Sequence, residues 1–224
     1  MYWIEALKFF EILEKGLLIG VIVSAPMGPV GILCIQRTLN KGRWYGFVTG
    51  LGAAISDMLY AFVTGFALSF VVDFIENERN MFYLQLVGSI LLFIFGVYTF
   101  RSKPEKNIRP TSNKKGTLVS NCSSAFFITL SNPLVIFLFI AFFARFNFVV
   151  SDSEKNHHLM QIVGFISIFI GALAWWLCLT YFIDKVRTNS QEKTIWILNR
   201  VIGVIVMIVS ILGFILTWAG LSFH

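Results

Sequence analysis

WYGFVTGLGAAISDMLYAFVTGFALSFVV, residues 44–72, contains a single charged residue, Asp57, in an otherwise uncharged run. A helix rises about 1.5 Å per residue, so the run exceeds the roughly 20 residues needed to cross a bilayer's hydrocarbon core. Its surplus length predicts a tilted or projecting span. Five similar stretches accompany it, at 16–35, 81–100, 119–144, 160–183 and 195–219. Only 13% of the chain is charged and 57% is hydrophobic. A soluble domain carries about 25% charged residues and could not hide this much apolar surface in one core. Lipid is therefore the expected solvent, and the 24 Phe suit helices that face it. The predicted fold class is an all-α integral membrane protein with six transmembrane helices.

The net charge of +6 does not point to nucleic acid, because the basic residues lie in short connections between spans. There they set topology and meet anionic lipid headgroups. Twelve Lys and Arg follow spans one, three and five: Arg37, Lys41, Arg43, six within 101–115, and Lys185, Arg187 and Lys193. Five lie on the other side: Lys8, Lys15, Arg79, Arg145 and Lys155. The larger set is expected in the cytoplasm, with both termini outside and the acidic loop Asp73, Glu76, Glu78 on the outer face. Residues 1–15 mix Glu5, Lys8, Glu11 and Lys15 with Trp3, Leu7, Phe10 and Leu13 at helical spacing. They read as an amphipathic helix or an extension of span one, and not as a cleaved leader.

Segment 101–118 holds six basic residues, two Pro and no apolar periodicity, and reads as a basic cytoplasmic linker. It divides the chain into 1–100 and 119–224, each with three spans. Three is odd, so the second half must insert upside down, giving two inverted three-helix repeats. The halves correspond locally. Ser24-Ala25-Pro26-Met27-Gly28-Pro29-Val30-Gly31 interrupts span one, and Leu130-Ser131-Asn132-Pro133-Leu134-Val135 interrupts span four. Gln85 and Gly88 match Arg200 and Gly203 at a common offset, and Gly52-Ala53 matches Gly171-Ala172.

Each Pro removes a backbone donor and clashes with the preceding turn, so both spans should break there. Unpaired backbone groups in hydrocarbon cost several kcal/mol, so the breaks must face protein or a watery cavity. Pro26, Gly28, Pro29, Asn132 and Pro133 thus become candidate substrate-binding positions. The helix after each break would aim its positive end at a carboxylate. The Asn132 amide would add a donor and an acceptor. Kinked packing helices are the plainer alternative.

Asp57 sits near the middle of its span, where a charge costs at least about 2.5 kcal/mol and usually marks an ion or substrate path. Gly46, Gly50, Ala53, Ala54, Ala61 and Thr64 share its face, so it should point inward. Gly42, Gly46 and Gly50 form a row of small residues that lets helices approach. The candidate role of Asp57 is to bind a proton or an ammonium; holding the backbone of a broken helix is the alternative. Trp175, beside Trp176, would wall the cavity and offer a cation–π face, or simply pack. Cys34, Cys122 and Cys178 form no CxxC and read as small packing residues. His157-His158 lacks further ligands for a metal. No metal and no cofactor is expected.

Pro26-Met27-Gly28-Pro29, Gly42, Gly50 and Asp57 resemble the start of lysine-exporter-type (LysE/RhtB) amino-acid transporters. Asn132-Pro133, Trp175-Trp176 and Asn199-Arg200 before Gly203 extend the resemblance through the second half. Val30 stands where many members have a polar residue. The resemblance implies proton-driven export of amino acids or related metabolites across a prokaryotic inner membrane.

A secondary transporter is therefore the leading expectation, with membrane lipids, protons and an amino-acid-like small molecule as partners. A homodimer is the assembly allowed for. A thiol-disulfide carrier is disfavoured because Cys34 and Cys122 are not repeat equivalents and lack activating bases. A divalent-cation exporter would need several oxygen ligands, and the spans supply only Asp57 as a charged one. A hydrolase lacks HExxH or GxSxG, so no enzyme is expected.

Overall fold

The computed structural model describes residues 2–26, 28–69, 78–102, 117–132, 134–146, 148, 157–186 and 191–219. Eight helices account for the secondary structure among them: α1 (Tyr2–Ser24), α2 (Pro29–Lys41), α3 (Arg43–Ser69), α4 (Glu78–Arg101), α5 (Leu118–Leu130), α6 (Leu134–Phe146), α7 (His157–Val186) and α8 (Gln191–Trp218). Four of these, α3, α4, α7 and α8, are long and apolar enough to cross a bilayer alone. The pairs α1–α2 and α5–α6 bend by 80° and 70° at their breaks and bring the count to six if each pair is one span. Residues 2–15 form the start of α1, so this segment extends the first helix. The acidic positions Asp73 and Glu76, the linker core 103–116, and Pro133 lie outside the described residues.

Polarity runs inside out relative to a soluble protein. Ser56, Thr64, Gln85, Asn121, Thr180, Asn199 and Ser210 are buried, while Ile90, Ile94, Ile205, Ile208, Leu212 and Ile215 are exposed. Most buried hydroxyls are satisfied by their own helix, as when Thr180 donates to the Trp176 carbonyl at 2.8 Å. That is the arrangement a hydrocarbon solvent requires.

Small residues set the packing. α1 lies along α7, α5 along α3 and α4 along α8, with α3 also against α7 and α2 folded back on α3. A Cβ at Gly20 would strike the Ile168 carbonyl, and one at Gly171 the Leu17 carbonyl, so α1 and α7 touch backbone to backbone. Gly52 meets α5 at Cys122 in the same way, and Gly50 accommodates the Trp176 ring. These contacts are those of small-residue membrane interfaces. Gly42 differs from expectation. It lies in the α2–α3 turn with φ 104°, a conformation that disfavours side chains, so the helical row begins at Gly46.

Two arginines also differ from expectation. Arg37 and Arg145, assigned to loops from their nearness to span ends, lie within α2 and α6 and are 7% and 5% exposed. Both helices run further than the hydropathy boundary, and each guanidinium finds polar partners inside the bundle.

Candidate functional site

At the first break α1 stops at Ser24 and α2 starts at Pro29. The Gly28 N–H bonds the Pro26 carbonyl at 2.9 Å, and the Ile32 N–H returns to the Gly28 carbonyl at 3.2 Å. Gly28 has φ −76°, which any residue adopts, so conformation does not demand glycine. A Cβ there would meet nothing within 4 Å, so the break borders open space. No side chain caps the α2 N-terminus. Its first N–H groups are the ones a helix cannot satisfy for itself.

The second break is closed differently. An unbroken helix would send the Leu134 N–H to the Leu130 carbonyl. Instead the Leu134 N–H bonds Asn132 Oδ1 at 3.2 Å, and the Asn132 N–H bonds the Thr129 carbonyl at 2.9 Å. The released Leu130 carbonyl accepts the Tyr60 hydroxyl at 2.5 Å. Asn132 is thus the cap of α6, with its carboxamide oxygen committed to the backbone.

Both breaks meet one turn of α3. Asp57 is 4% exposed, and its Oδ2 accepts the Ser24 hydroxyl at 2.8 Å. Tyr60, three residues on and on the same face, reaches Leu130. Among the described residues no Lys, Arg or His pairs with Asp57. A buried carboxylate is costly without a positive partner, and one hydroxyl supplies a hydrogen bond but no charge. The arrangement suits uptake of a cation there, whether a proton or an ammonium.

Trp175 in α7 packs against both apolar clusters of the core, one of which contains Val23 and Ala25 from the first break and Val135 from the second. Its indole N–H is buried and lacks a partner, as do the hydroxyls of Ser56 and Thr129. The Ser24 and Tyr60 hydrogen bonds therefore tie the Asp57 turn of α3 to both interruptions, while Trp175 packs on the apolar core beside them. Sequence reasoning gave no role to Ser24 or Tyr60. The i, i+3 spacing from Asp57 could have singled out Tyr60, whereas nothing in the sequence pairs Ser24 with Asp57. Cys34 is buried with its thiol donating to the Gly46 carbonyl at 3.3 Å, and all three cysteines are free. Among the described residues no three His, Cys, Asp or Glu gather as a metal site.

Residues 21–217, nearly the whole chain and both breaks, match the LysE type translocator family. The chain belongs to that family. This LysE-type translocator is 27% identical over 207 residues to a Bacillus subtilis (strain 168) protein named "Putative amino acid efflux protein YcgF". That alignment covers 92% of this chain and 95% of the relative. It is 23% identical over 182 residues to the Escherichia coli (strain K12) "Uncharacterized membrane protein YahN", covering 77% of this chain and 75% of the other. No solved structure matches it. Family and apolar helices together make this translocator a multi-pass membrane transport protein.

Proposed function

We propose that this translocator is a secondary active transporter that exports amino acids or related small metabolites, coupled to the proton gradient, across a prokaryotic inner membrane. The observation that carries the reading is Asp57, a buried carboxylate with no counter-charge among the described residues, on the α3 turn that touches both breaks. Asp57 pairs with the substrate ammonium or carries the coupling proton. The uncapped α2 N-terminus receives the substrate carboxylate beside the open space at Gly28. Trp175 walls the same region. Asn132 supports the site by capping α6, and its free amide nitrogen remains the group that could reach substrate.

The reading extends to two inverted repeats that rock about this region. Helix pairing supports it: exchanging the halves converts the α1–α7 pair into α5–α3 and returns α4–α8 to itself. Both termini are placed outside. Removing the buried Arg37 and Arg145 from the charge count leaves eleven basic residues against four, which keeps the bias.

The test uses proteoliposomes loaded with the twenty protein amino acids under an imposed pH gradient, with mass spectrometry of the efflux. Wild-type protein releases one or more amino acids faster when the gradient is present. Asp57→Asn inserts normally and loses gradient-driven release. Wild-type rates in Asp57→Asn would remove this carboxyl from the mechanism.

A further inference from the structure

Eight residues from Asp57 along α3, about 12 Å by helical rise, a second charged group is buried. Arg37 of α2 donates through Nη1 to Thr49 Oγ1 at 2.9 Å and to the Asn121 carbonyl at 2.9 Å, and through Nη2 to Ser124 Oγ at 2.8 Å. The two hydroxyls act here as acceptors, because their own protons go to the carbonyls of Tyr45 and Asn121. The guanidinium therefore has dipoles around it and, among the described residues, no carboxylate. Two donors in this cluster remain unspent: Arg37 Nε–H and the Asn121 side-chain amide, whose residue is 3% exposed. The cluster also lies at the first turns of α5, where the helix dipole favours negative charge. A buried cation with no counter-ion among the described residues, beside two unused donors, is short of one planar anionic acceptor. A carboxylate fits a guanidinium edge of this kind.

We propose that Arg37 and Asn121 form a carboxylate-binding subsite, distinct from the Asp57 region, that receives the substrate on its way to or from the breaks. The proposal rests on the transport reading above and narrows it to substrates that carry a free carboxylate. α2 supports such a path. Its N-terminus lies at the first break, and Arg37 stands eight residues later, so one helix offers two anion stations about 12 Å apart. Arg37 and Asn121 hold the carboxylate; Thr49 and Ser124 hold Arg37.

The test measures discrimination between acid and amide. Proteoliposomes are loaded with the twenty amino acids, or with the same twenty as 1-carboxamides, and protein-free vesicles are subtracted. Wild-type protein should release the transported amino acid at least tenfold better than its carboxamide. In Arg37→Gln that ratio should fall severalfold, the α2 N-terminus keeping the remainder, with most of the change in KM. Arg37→Lys should retain part of it. Asn121→Leu keeps the backbone carbonyl that Arg37 uses and serves if Arg37→Gln does not fold; it should lower the ratio severalfold. An unchanged ratio in folded Arg37→Gln or Asn121→Leu overturns the subsite while leaving the transport reading intact. Wild-type vesicles that move no amino acid overturn both. Vesicles with and without phosphatidylglycerol separate the two sources of anion. The preference should persist in both, and an Arg37 effect confined to anionic vesicles would assign the guanidinium to a lipid headgroup and overturn the proposal.

Discussion

Tyr60→Phe removes one oxygen and isolates the question of what holds the second break. The phenol is the side-chain donor to the Leu130 carbonyl, whose helical partner, the Leu134 N–H, has been diverted to Asn132. Leaving an acceptor unsatisfied away from water costs about 1–3 kcal/mol, and the Leu130 carbonyl lies at an exposed position. Tyr60 is only half-buried, which places the expected loss at the lower end, about 1–2 kcal/mol. For a chain of this size each kcal/mol moves Tm by roughly 2–4 °C, so the variant should melt about 2–8 °C lower. Thermal unfolding of purified protein in dodecyl maltoside, followed by tryptophan fluorescence, measures the shift. Asn132→Ala, which removes the α6 cap, should cost about 1 kcal/mol alone. The two substitutions act on one break, so the double variant should depart from additivity by about 0.5 kcal/mol or more. A Tyr60→Phe protein with wild-type melting, or strict additivity with Asn132→Ala, would refute the account of how this break is closed.

Three further outcomes follow from the packing and the breaks. Gly52→Ala drives a methyl into the Cys122 carbonyl and should destabilise by about 1–3 kcal/mol, read by the same melt. Gly28→Ala meets open space and should leave folding within about 0.5 kcal/mol of wild type, while lowering efflux in the proteoliposome assay because the methyl occupies the room beside the break. Replacing Cys34, Cys122 and Cys178 together by Ala should preserve efflux; its loss in a folded protein would revive the thiol-carrier alternative.

Much of the architecture was legible because membrane physics leaves coarse marks. Uncharged runs located α3, α4, α7 and α8 to within a few residues, and prolines located both interruptions. The inward aspect of Asp57 could be read from the Gly and Ala residues around it, since only small side chains let neighbouring helices close over that face. The partners of Asp57 and of the second break were not legible. Ser24 and Tyr60 meet their acceptors across 33 and 70 residues of sequence, distances at which no local pattern operates. The arginines misled for a different reason. Hydropathy windows end a span where charge begins, yet α2 continues to Lys41 and turns Arg37 inward onto Thr49, Asn121 and Ser124. Asn132 showed the opposite limit: the sequence offered its amide as a substrate ligand, and only the Leu134 hydrogen bond revealed it as the cap of α6.

Asp57 and Tyr60 belong to one stiff rod, so their grips on the two halves of the chain cannot slip independently. Turning α3 far enough to loosen Ser24 also swings the phenol away from Leu130. Under the proposed reading, a cation on Asp57 would weaken the Ser24 contact and exert a torque whose far end is felt across the bundle, with α3 as the axle.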